Sequence, residues 1–293
     1  MSWRTVIISN HAKLDVQSGF MVVRTGDETQ RVLLDEIDIL IIENTAVSVT
    51  AYLLAELVNR KVRVIFCDCT RNPLAELHPC HGCHDVTRKS RQQLAWTHDN
   101  KQAVWQRIVQ EKIRNQIKLL QRHNRLERVK QLESYEVALE LDDPSNREGH
   151  AAKVYFAGIF GETFKRAQSN SINATLDYGY MILLAVFNRA LAAEGLLTQF
   201  GLAHKNVYNQ WNLSCDLIEP FRPLIDKRVA EMVSSKTFAF NSEAKRALVR
   251  FLHEPIMIDG KRQSLINAVT IYVLSVIRAL ESGDIDVILF PEW

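Results

Sequence analysis

Residues 71–91, RNPLAELHPCHGCHDVTRKSR, separate two parts of the chain whose sequence patterns differ. This stretch contains Pro and Gly and shows no clear periodicity of apolar residues, which favours a connector over a helix or a strand. Short β-branched segments precede it and predict strands, whereas segments with apolar residues at helical spacing follow it. The pattern predicts an α+β protein of several domains: a small β-rich N-terminal domain (1–72), a connector (73–93) and an all-helical C-terminal domain (94–293).

The N-terminal part contains several segments that predict strands. Each is short and rich in β-branched residues, and turn residues such as Asn10 and Gly19 separate them. The segments are RTVIIS (4–9), FMVVR (20–24), RVLL (31–34), IDILII (37–42) and VRVIFC (62–67). Between them, SVTAYLLAELVNR (48–60) predicts a helix, because its apolar residues recur every three to four positions and Ser48 or Thr50 could cap its start.

The C-terminal part predicts a series of helices. Apolar residues recur near helical spacing from Leu94 to about Leu141, and GHAAKVYFAGIFGETFKRA (149–167) carries one apolar stripe. Further helices are predicted at 176–194, 221–233, 242–254 and 264–282. The longest apolar run, MILLAVF (181–187), is far shorter than the ~20 residues of a membrane span, so no membrane segment is expected.

The composition is that of a globular protein. Of the 293 residues, 47% are apolar and 24% are charged, which permits a sizeable core and argues against wholesale disorder. The first residues, MSWRTVIISN (1–10), lack the apolar stretch of a secretory signal. An odd number of cysteines, five, does not suggest a disulfide framework. We therefore expect a reduced, cytoplasmic protein.

Positive charge is concentrated in one part of the chain. The net charge is only +2, but residues 86–130 contain twelve Lys/Arg and three Asp/Glu, which gives +9 there and −7 elsewhere. A local basic strip on a nearly neutral protein is typical of binding to a phosphate backbone, although a solvated helix face would also explain it. The strip includes Arg88, Lys89, Arg91, Arg107, Lys112, Arg114, Lys118, Arg122, Arg125 and Arg128.

The segment SNREGHAAKVYF (145–156) is the first of two places where catalytic residues could lie. Glu148 stands at the predicted start of a buried helix. The pattern Ser145-x-x-Glu148 fits a capping box, and an acidic residue in a first turn is favoured by the helix dipole. Taken alone, this pattern favours a helix cap over a catalytic group.

The second place is GLAHKNVYNQWNLSCDLIEPFRP (201–223). His204 lies in a polar loop, where it could be an ordinary surface histidine. Glu219 precedes Pro220, which suits a first helical position, so Glu219 would be the N-cap, a position that prefers Ser, Thr, Asp or Asn. Asp216 lies three residues earlier, as a second carboxylate or a loop-ordering residue.

Glu148, His204 and Glu219 together would form a hard, oxygen-rich site with one imidazole. Such a set suits Mg²⁺ or Mn²⁺ better than a structural zinc ion, and Mn²⁺ accepts the nitrogen ligand more readily. A metal held in this way can polarise a phosphodiester. The spacing of the three residues does not by itself establish the site.

The cysteines offer a competing interpretation of the connector. Cys80-x-x-Cys83 is half of a zinc pattern, and Cys67 and Cys69 could supply the other half, since residues two apart on a strand point to the same side. However, Cys67 ends an apolar strand, and no separate histidine pair follows. An ordinary connector is therefore favoured over a structural zinc site.

Seven segments, in this order along nearly the whole chain, resemble the CRISPR-associated integrase, the larger subunit of the spacer-acquisition complex, in its type II form. The ordered set is specific, although each segment alone is a weak signal. The segments are WRTVIISNHAKL (3–14), VRVIFCD (62–68), REGHAAKVYF (147–156), NSINATLDYGYMIL (170–183), GLAHKN (201–206), CDLIEPFRPLID (215–226) and FPEW (290–293).

The resemblance implies a β-rich domain followed by a helical, metal-dependent catalytic domain. It implies that Glu148, His204 and Glu219 are the metal ligands and catalytic residues, with Asp216 as a residue behind them or an alternate ligand. The implied cofactor is Mg²⁺ or Mn²⁺. The family's connector usually carries Pro, Gly and His, which here implies a turn, with the extra cysteines as a local addition.

The implied activity is DNA strand transfer, in which the 3′-hydroxyl of a short DNA attacks a phosphodiester at the border of a CRISPR repeat. The implied partners are this DNA, a second copy of the chain and a small ferredoxin-like subunit. An RNA-guided effector nuclease and an accessory protein of type II systems are further expected partners. Candidate DNA-binding residues are Lys205, Arg222, Arg88, Lys89, Arg114 and Lys118.

Two other classes of protein stay open at this point. A hydrolytic nuclease for branched DNA would use the same site with water as the nucleophile. A non-catalytic DNA-binding scaffold would have Glu148 as a cap and His204 in solvent.

Overall fold

A computed structural model describes residues 4–26, 28–77, 85–234 and 238–292. The chain divides into an N-terminal unit, Met1–Gly82, and a C-terminal unit, Cys83–Trp293. The division falls inside the stretch predicted as the connector (73–93). Strands dominate the first unit and helices the second, so the expected α+β class is confirmed.

The N-terminal unit contains eight strands and one α-helix in its described residues. Its elements are β1 (Arg4–Ile8), β2 (Lys13–Gln17), β3 (Phe20–Arg24), β4 (Thr29–Leu33), β5 (Ile37–Ile42), β6 (Ser48–Val49), α1 (Ala51–Asn59), β7 (Arg63–Cys67) and β8 (Pro73–Glu76). The five predicted strands and the predicted helix are all confirmed. Thr50 caps α1, because its side chain accepts a hydrogen bond from the Leu53 amide.

These strands form two sheets around one core. The first sheet has the order β1-β5-β7-β8, with β1, β5 and β7 parallel and β8 antiparallel to β7. The second sheet has the order β4-β3-β2-β6. Every residue of β5 is buried, as expected for a parallel strand covered on both faces. The core takes Leu40 from the first sheet, Leu14 from the second and Leu53 from α1.

The C-terminal unit is mostly helical. Its helices are α2 (Val86–Leu94), α3 (His98–Arg122), α4 (Leu126–Val137), α5 (Arg147–Phe160), α6 (Ser171–Ala193), α7 (Asn212–Leu217), α8 (Arg222–Val233), α9 (Ser242–Phe251) and α10 (Leu265–Ser282). The longest, α3, packs against α4, α5, α8 and α10. It therefore runs through the centre of this unit, where residues from distant parts of the chain reach its sides.

The prediction of an all-helical C-terminal domain is wrong in one place. A two-stranded hairpin, β9 (Pro255–Ile258) and β10 (Lys261–Ser264), precedes α10. Asp259 and Gly260 connect the strands, and both have positive φ angles, 52° and 65°. Asp-Gly is a strong signal for such a turn, because two consecutive left-handed residues match the twist of a hairpin. The signal was present in the sequence and was missed.

The stretch predicted as an irregular connector (73–93) has regular structure at both ends. β8 occupies its start, where hydrogen bonds to β7 form without a periodic side-chain pattern. α2 occupies its end and is polar and largely exposed, so it carries no clear apolar stripe. Gln93 is the buried exception: its amide both donates to the Leu197 carbonyl and accepts from the Leu197 N–H, at 2.8 Å each.

One helix of the described part, α10, is long and apolar enough by composition to cross a membrane. It packs against α3 and α6, and residues such as Val269, Tyr272 and Val276 are fully buried. These contacts are those of a core helix.

Candidate active site

A buried lysine ammonium joins two of the predicted site residues. Lys112, in the middle of α3, places Nζ 2.6 Å from Glu148 Oε1 and 2.5 Å from Glu219 Oε2. The Lys112 side chain is 10% exposed and that of Glu219 is 4% exposed. Burial alone would lower the pKa of Lys112, but the Glu219 and Glu148 carboxylates outweigh it and raise that pKa. The lysine is therefore charged, and two acids 71 residues apart meet on it.

Glu148 is not part of a capping box, which corrects the simpler interpretation of that segment. The cap is Asn146, in a left-handed conformation, and its side chain makes no capping hydrogen bond. The carboxylate of Asp143 instead accepts hydrogen bonds from the amides of Arg147 (2.7 Å) and Glu148 (2.9 Å). Because Asp143 satisfies the helix start, the Glu148 side chain is free to contact Lys112.

Glu219 is held by its surroundings on two sides. It is the first residue of a 3₁₀ turn, Glu219–Phe221, rather than the predicted N-cap of α8, and Asn115 of α3 donates to the Pro220 carbonyl at 3.0 Å. Arg222 Nε lies 3.0 Å from Glu219 Oε1. Burial would raise the pKa of Glu219, but Arg222 and Lys112 outweigh it and lower that pKa. Glu219 is thus a buried, ionised carboxylate.

The loop that carries His204 is organised by Asp216. The Asp216 side chain is fully buried and accepts hydrogen bonds from the backbone amides of Leu202, Ala203 (3.1 Å) and His204 (3.2 Å). His204 Nδ1 lies 2.5 Å from Asp216 Oδ1. Asn212 donates to the carbonyls of Gln199 and Asn206, which fixes both ends of the loop. One carboxylate therefore orders both the loop backbone and the imidazole.

This contact decides which nitrogen of His204 is available. Because a carboxylate oxygen accepts hydrogen bonds, the neutral imidazole carries its proton on Nδ1 and keeps a lone pair on Nε2. The hydrogen bond to Asp216 raises the pKa of His204, while partial burial opposes the rise. The imidazole side chain is 44% exposed and packs edge-on against Trp105, with ring centroids 6.0 Å apart.

Gly201 lies where a side chain would disturb this arrangement. A Cβ atom there would stand 2.5 Å from the His204 carbonyl oxygen and 2.6 Å from Asp216 Oδ2. We expect Gly201→Ala to destabilise the protein by about 1–3 kcal/mol, as overpacking does. Urea unfolding of this variant measures the effect, with Gly26→Ala as the control, since a Cβ at Gly26 meets no atom within 4 Å. Equal stability of the two variants would contradict the packing described here.

The structure brings the predicted metal ligands close but does not place all three around one point. Across the described residues, no three His, Cys, Asp or Glu side chains are placed to hold a metal ion together. Lys112 stands between Glu148 and Glu219, and His204 contacts Asp216 rather than either glutamate. Both glutamates nevertheless act electrostatically on His204.

The chemistry of these donors fits a hard divalent cation. Two carboxylates and one imidazole nitrogen are ligands that Mg²⁺ and Mn²⁺ accept. Glu219 Oε2 is buried, and no hydrogen-bond donor is well aligned on it, although Lys112 Nζ is close. Glu148, Glu219 and His204 Nε2 are therefore the residues that would hold such an ion.

A second buried acid lies behind Arg222. Asp226 accepts hydrogen bonds from the hydroxyl groups of Tyr155, at 2.9 Å, and Tyr180. The guanidinium carbon of Arg222 lies 4.8 Å from the centroid of the Tyr180 ring. Burial raises the pKa of Asp226 to about 6, although both tyrosine hydrogen bonds favour the ionised form. These contacts support Arg222, and through it Glu219.

The raised pKa of Asp226 predicts how stability changes with pH. Between the ordinary value of 3.8 and about 6, the folded protein binds more protons at Asp226 than the unfolded chain does. This contribution to the free energy of unfolding is therefore present at low pH and lost as the pH rises through about 6, by up to ~3 kcal/mol. Asp226→Asn should remove it. Urea unfolding of both proteins at several pH values, compared as a difference, should show this slope; parallel curves would contradict it.

The candidate DNA-binding residues differ in their contacts. Arg88 pairs with Asp85, Arg114 lies 2.6 Å from Glu136, and Lys118 lies 3.0 Å from Asn115 Oδ1. Lys205 is exposed beside His204, and Lys89 is partly buried in α2. Arg222 is committed to Glu219 and Tyr180, so its contacts favour a positioning role over direct binding of phosphate.

Sequence reasoning missed Lys112 and Asp143. Lys112 was counted among the twelve Lys/Arg of the basic strip, which was expected to contact DNA or solvent, but it is 8% exposed. Its spacing held the signal, because it follows Ile108 by four residues and so lies on the apolar face of α3. Asp143 gave no comparable signal, since its contact with the start of α5 depends on the conformation of the intervening loop.

Two of the four cysteines of the proposed zinc site lie outside the described residues. Cys80 and Cys83 fall in 78–84, together with the residues of the predicted turn. Cys67 is buried and Cys69 is exposed.

Comparisons with known proteins agree on one family. The family model described as CRISPR associated protein Cas1 matches residues 5–254. A CRISPR-associated endonuclease Cas1 from Neisseria meningitidis serogroup C (strain 8013) is 32% identical over 271 residues, which cover 92% of this chain and 89% of that protein.

Two solved structures share the fold. A casposase bound to integration product has a TM-score of 0.77 at 18% identity, covering 97% of this chain and 92% of that chain. A Cas6-RT-Cas1–Cas2 complex contains a chain with a TM-score of 0.75 at 17% identity, covering 97% of this chain and 36% of that one. At these identities the likeness concerns the fold alone.

Proposed function

Because this chain belongs to the Cas1 family of CRISPR-associated proteins, we propose that it is a metal-dependent integrase and endonuclease of CRISPR spacer acquisition. The 3′-hydroxyl of a short DNA attacks a phosphodiester at the border of a CRISPR repeat. A new phosphodiester bond forms, the old bond breaks, and the released 3′ oxygen takes up a proton. The type II form, inferred from the ordered motifs, is part of this proposal.

One observation carries the proposal: Glu148 and Glu219 converge on one buried cationic position beside His204. A scaffold protein has no need to collect two carboxyl groups there, since burying charge is unfavourable unless each charge is paired. Glu148 is also released from helix capping by Asp143. These features support a site made to hold positive charge.

In the proposed reaction, some residues of this chain would hold the metal ion and others orient them. Glu148, Glu219 and His204 Nε2 would hold Mg²⁺ or Mn²⁺, which supplies positive charge that offsets the charge developing on phosphorus. Asp216 holds the imidazole through Nδ1, which leaves Nε2 for the ion, and Arg222 holds Glu219 in place. Such orienting contacts commonly matter almost as much as the ligands themselves.

The basic residues supply affinity for DNA. Exposed Lys205 lies beside the site, and Arg88, Lys89, Arg114 and Lys118 would contact the phosphate backbone, which gives affinity without sequence reading. Because Arg114 and Lys118 also have acidic or amide partners, they would exchange these for phosphates on binding.

The proposed partners follow from the family and the solved relatives. We propose a homodimer that works with a small ferredoxin-like subunit, in keeping with the Cas1–Cas2 assembly of the structural relative. An RNA-guided effector nuclease and an accessory protein complete the proposal for a type II system. We propose the cytoplasm as the place of action.

Joining of DNA tests the reaction directly. The purified chain, with its small partner subunit, receives a labelled duplex with free 3′-hydroxyls, a supercoiled repeat-containing plasmid, and Mg²⁺ or Mn²⁺. We expect label to become covalently attached to the plasmid only when the divalent ion is present. Cutting without joining would instead indicate the hydrolytic nuclease, and binding without either reaction would indicate the scaffold.

A further inference from the structure

Lys112 is a charged residue of the site to which the proposed reaction assigns no role. It lies on the side of α3 that faces Glu148 and Glu219, and its side chain is 10% exposed. Lys118, six residues further along the same helix, is 41% exposed, and its Nζ lies 3.9 Å from Glu111 Oε1, beyond hydrogen-bond distance. The two lysines share a helix, but only Lys112 is enclosed between acids.

The position of the Lys112 ammonium is the position that a divalent cation would need. Nζ lies 2.6 Å from Glu148 Oε1 and 2.5 Å from Glu219 Oε2, so one group binds an oxygen of each predicted ligand. The ammonium therefore competes with a metal ion for both of these oxygens. Repulsion between the ammonium and a dication at such short range would add to this competition.

The surroundings allow the lysine to leave. Its four-carbon side chain is flexible, and its ammonium is a compact charge that water solvates well. Glu219 would not be left without a cation, because Arg222 Nε contacts its other oxygen at 3.0 Å. Glu148 is 26% exposed, so water can reach it. Displacement of Lys112 therefore leaves no buried acid unpaired.

We infer that Lys112 is a resident counter-cation, which holds Glu148 and Glu219 together in the absence of a divalent ion and is displaced when one binds. This inference rests on the proposed function, since it assumes that the two glutamates are metal ligands. It assigns Lys112 the role of setting the affinity and threshold concentration for the ion. It also explains why the three ligands do not surround one point while Lys112 lies between them.

Mn²⁺ binding to Lys112→Gln tests the inference without any DNA. Affinity is measured by electron paramagnetic resonance of free Mn²⁺, and melting temperature is measured with and without the ion. We expect Lys112→Gln to bind Mn²⁺ about tenfold more tightly than the wild type, or more, because one competing charge is gone. Without the ion it should melt at a lower temperature, and Mn²⁺ should raise its melting temperature by more than it raises that of the wild type.

Three variants act as controls. Lys118→Gln removes the same charge from the same helix and should change Mn²⁺ affinity far less than Lys112→Gln. Lys112→Arg keeps the charge and should bind Mn²⁺ no more tightly than the wild type. Lys112→Met keeps the shape without charge and replaces Lys112→Gln if the latter folds poorly.

Glu148→Gln separates failure of this inference from failure of the proposed function. If Glu148→Gln loses Mn²⁺ binding but Lys112→Gln binds equally or more weakly than the wild type, Lys112 is an ordinary structural ion pair and the inference is wrong, while the metal site stands. If Glu148→Gln binds Mn²⁺ as the wild type does, Glu148 is not a ligand, and both proposals fail.

Discussion

Glu148→Gln is expected to abolish covalent joining of DNA while the C-terminal unit stays folded. The substitution removes a charged oxygen ligand but keeps the size and shape of the side chain. Loss of one ligand of a catalytic metal should reduce the rate by about 100-fold or more. Lys112 retains Glu219 as a partner, so the loss of stability should be no more than about 2 kcal/mol.

The joining assay and urea unfolding measure these two effects separately. Glu133→Gln is the matched control, because it makes the same chemical change at an exposed position of α4. A Glu148→Gln protein that still joins DNA at a rate near that of the wild type would contradict the proposed site. If both rate and stability collapse together, Glu148 is a structural residue.

Asp216→Asn should have the second largest effect, because this carboxylate serves the whole His204 loop. Both its oxygens accept hydrogen bonds, from backbone amides and from His204 Nδ1. In asparagine one oxygen becomes an NH₂ group, which would face N–H donors whichever way the amide is turned. We expect joining to fall about 10- to 100-fold, as for other residues that orient metal-binding histidines.

Stability should fall as well, by about 1–3 kcal/mol, since buried donors lose their acceptor. NMR of the His204 ring nitrogens provides a readout that a purely structural change would not produce, because the Nδ1-protonated form should lose its preference. Asp177→Asn, at an exposed ion pair on α6, is the control. Unchanged ring-nitrogen signals in Asp216→Asn would contradict the orienting role.

The fold was predictable where one physical cause dominates a segment. IDILII (37–42) is a continuous apolar run because β5 is covered on both faces, and it was recognised as a strand. α2 was not recognised, since its exposure leaves no apolar stripe to detect. The Asp259-Gly260 pair is a sequence signal for the hairpin before α10, but it was overlooked among stronger helical patterns.

The sequence allowed the residues of the candidate site to be predicted, but not the contacts between them. Resemblance brought together Glu148, His204 and Glu219, which the spacing could not do. Lys112 was assigned to the basic strip because its charge is visible in the sequence. Its two acidic partners, Glu148 and Glu219, come from distant segments, so the pairing is not visible there. The capping role of Asp143 depends on loop geometry, for which the sequence offers no periodic signal.

The separation of Lys112 from its two acids along the chain has a consequence for biosynthesis. Glu148 follows Lys112 by 36 residues, and Glu219 follows it by 107 (219 − 112). At roughly 5–20 residues per second, a ribosome adds Glu219 roughly 5–20 s after Lys112. During that interval α3 cannot be enclosed as it is in the finished protein, because the lysine would lose water before its second acid exists. We therefore expect α3 to stay in contact with solvent until Glu219 has been synthesised, and α8 and α10, which follow Glu219, to pack against it afterwards.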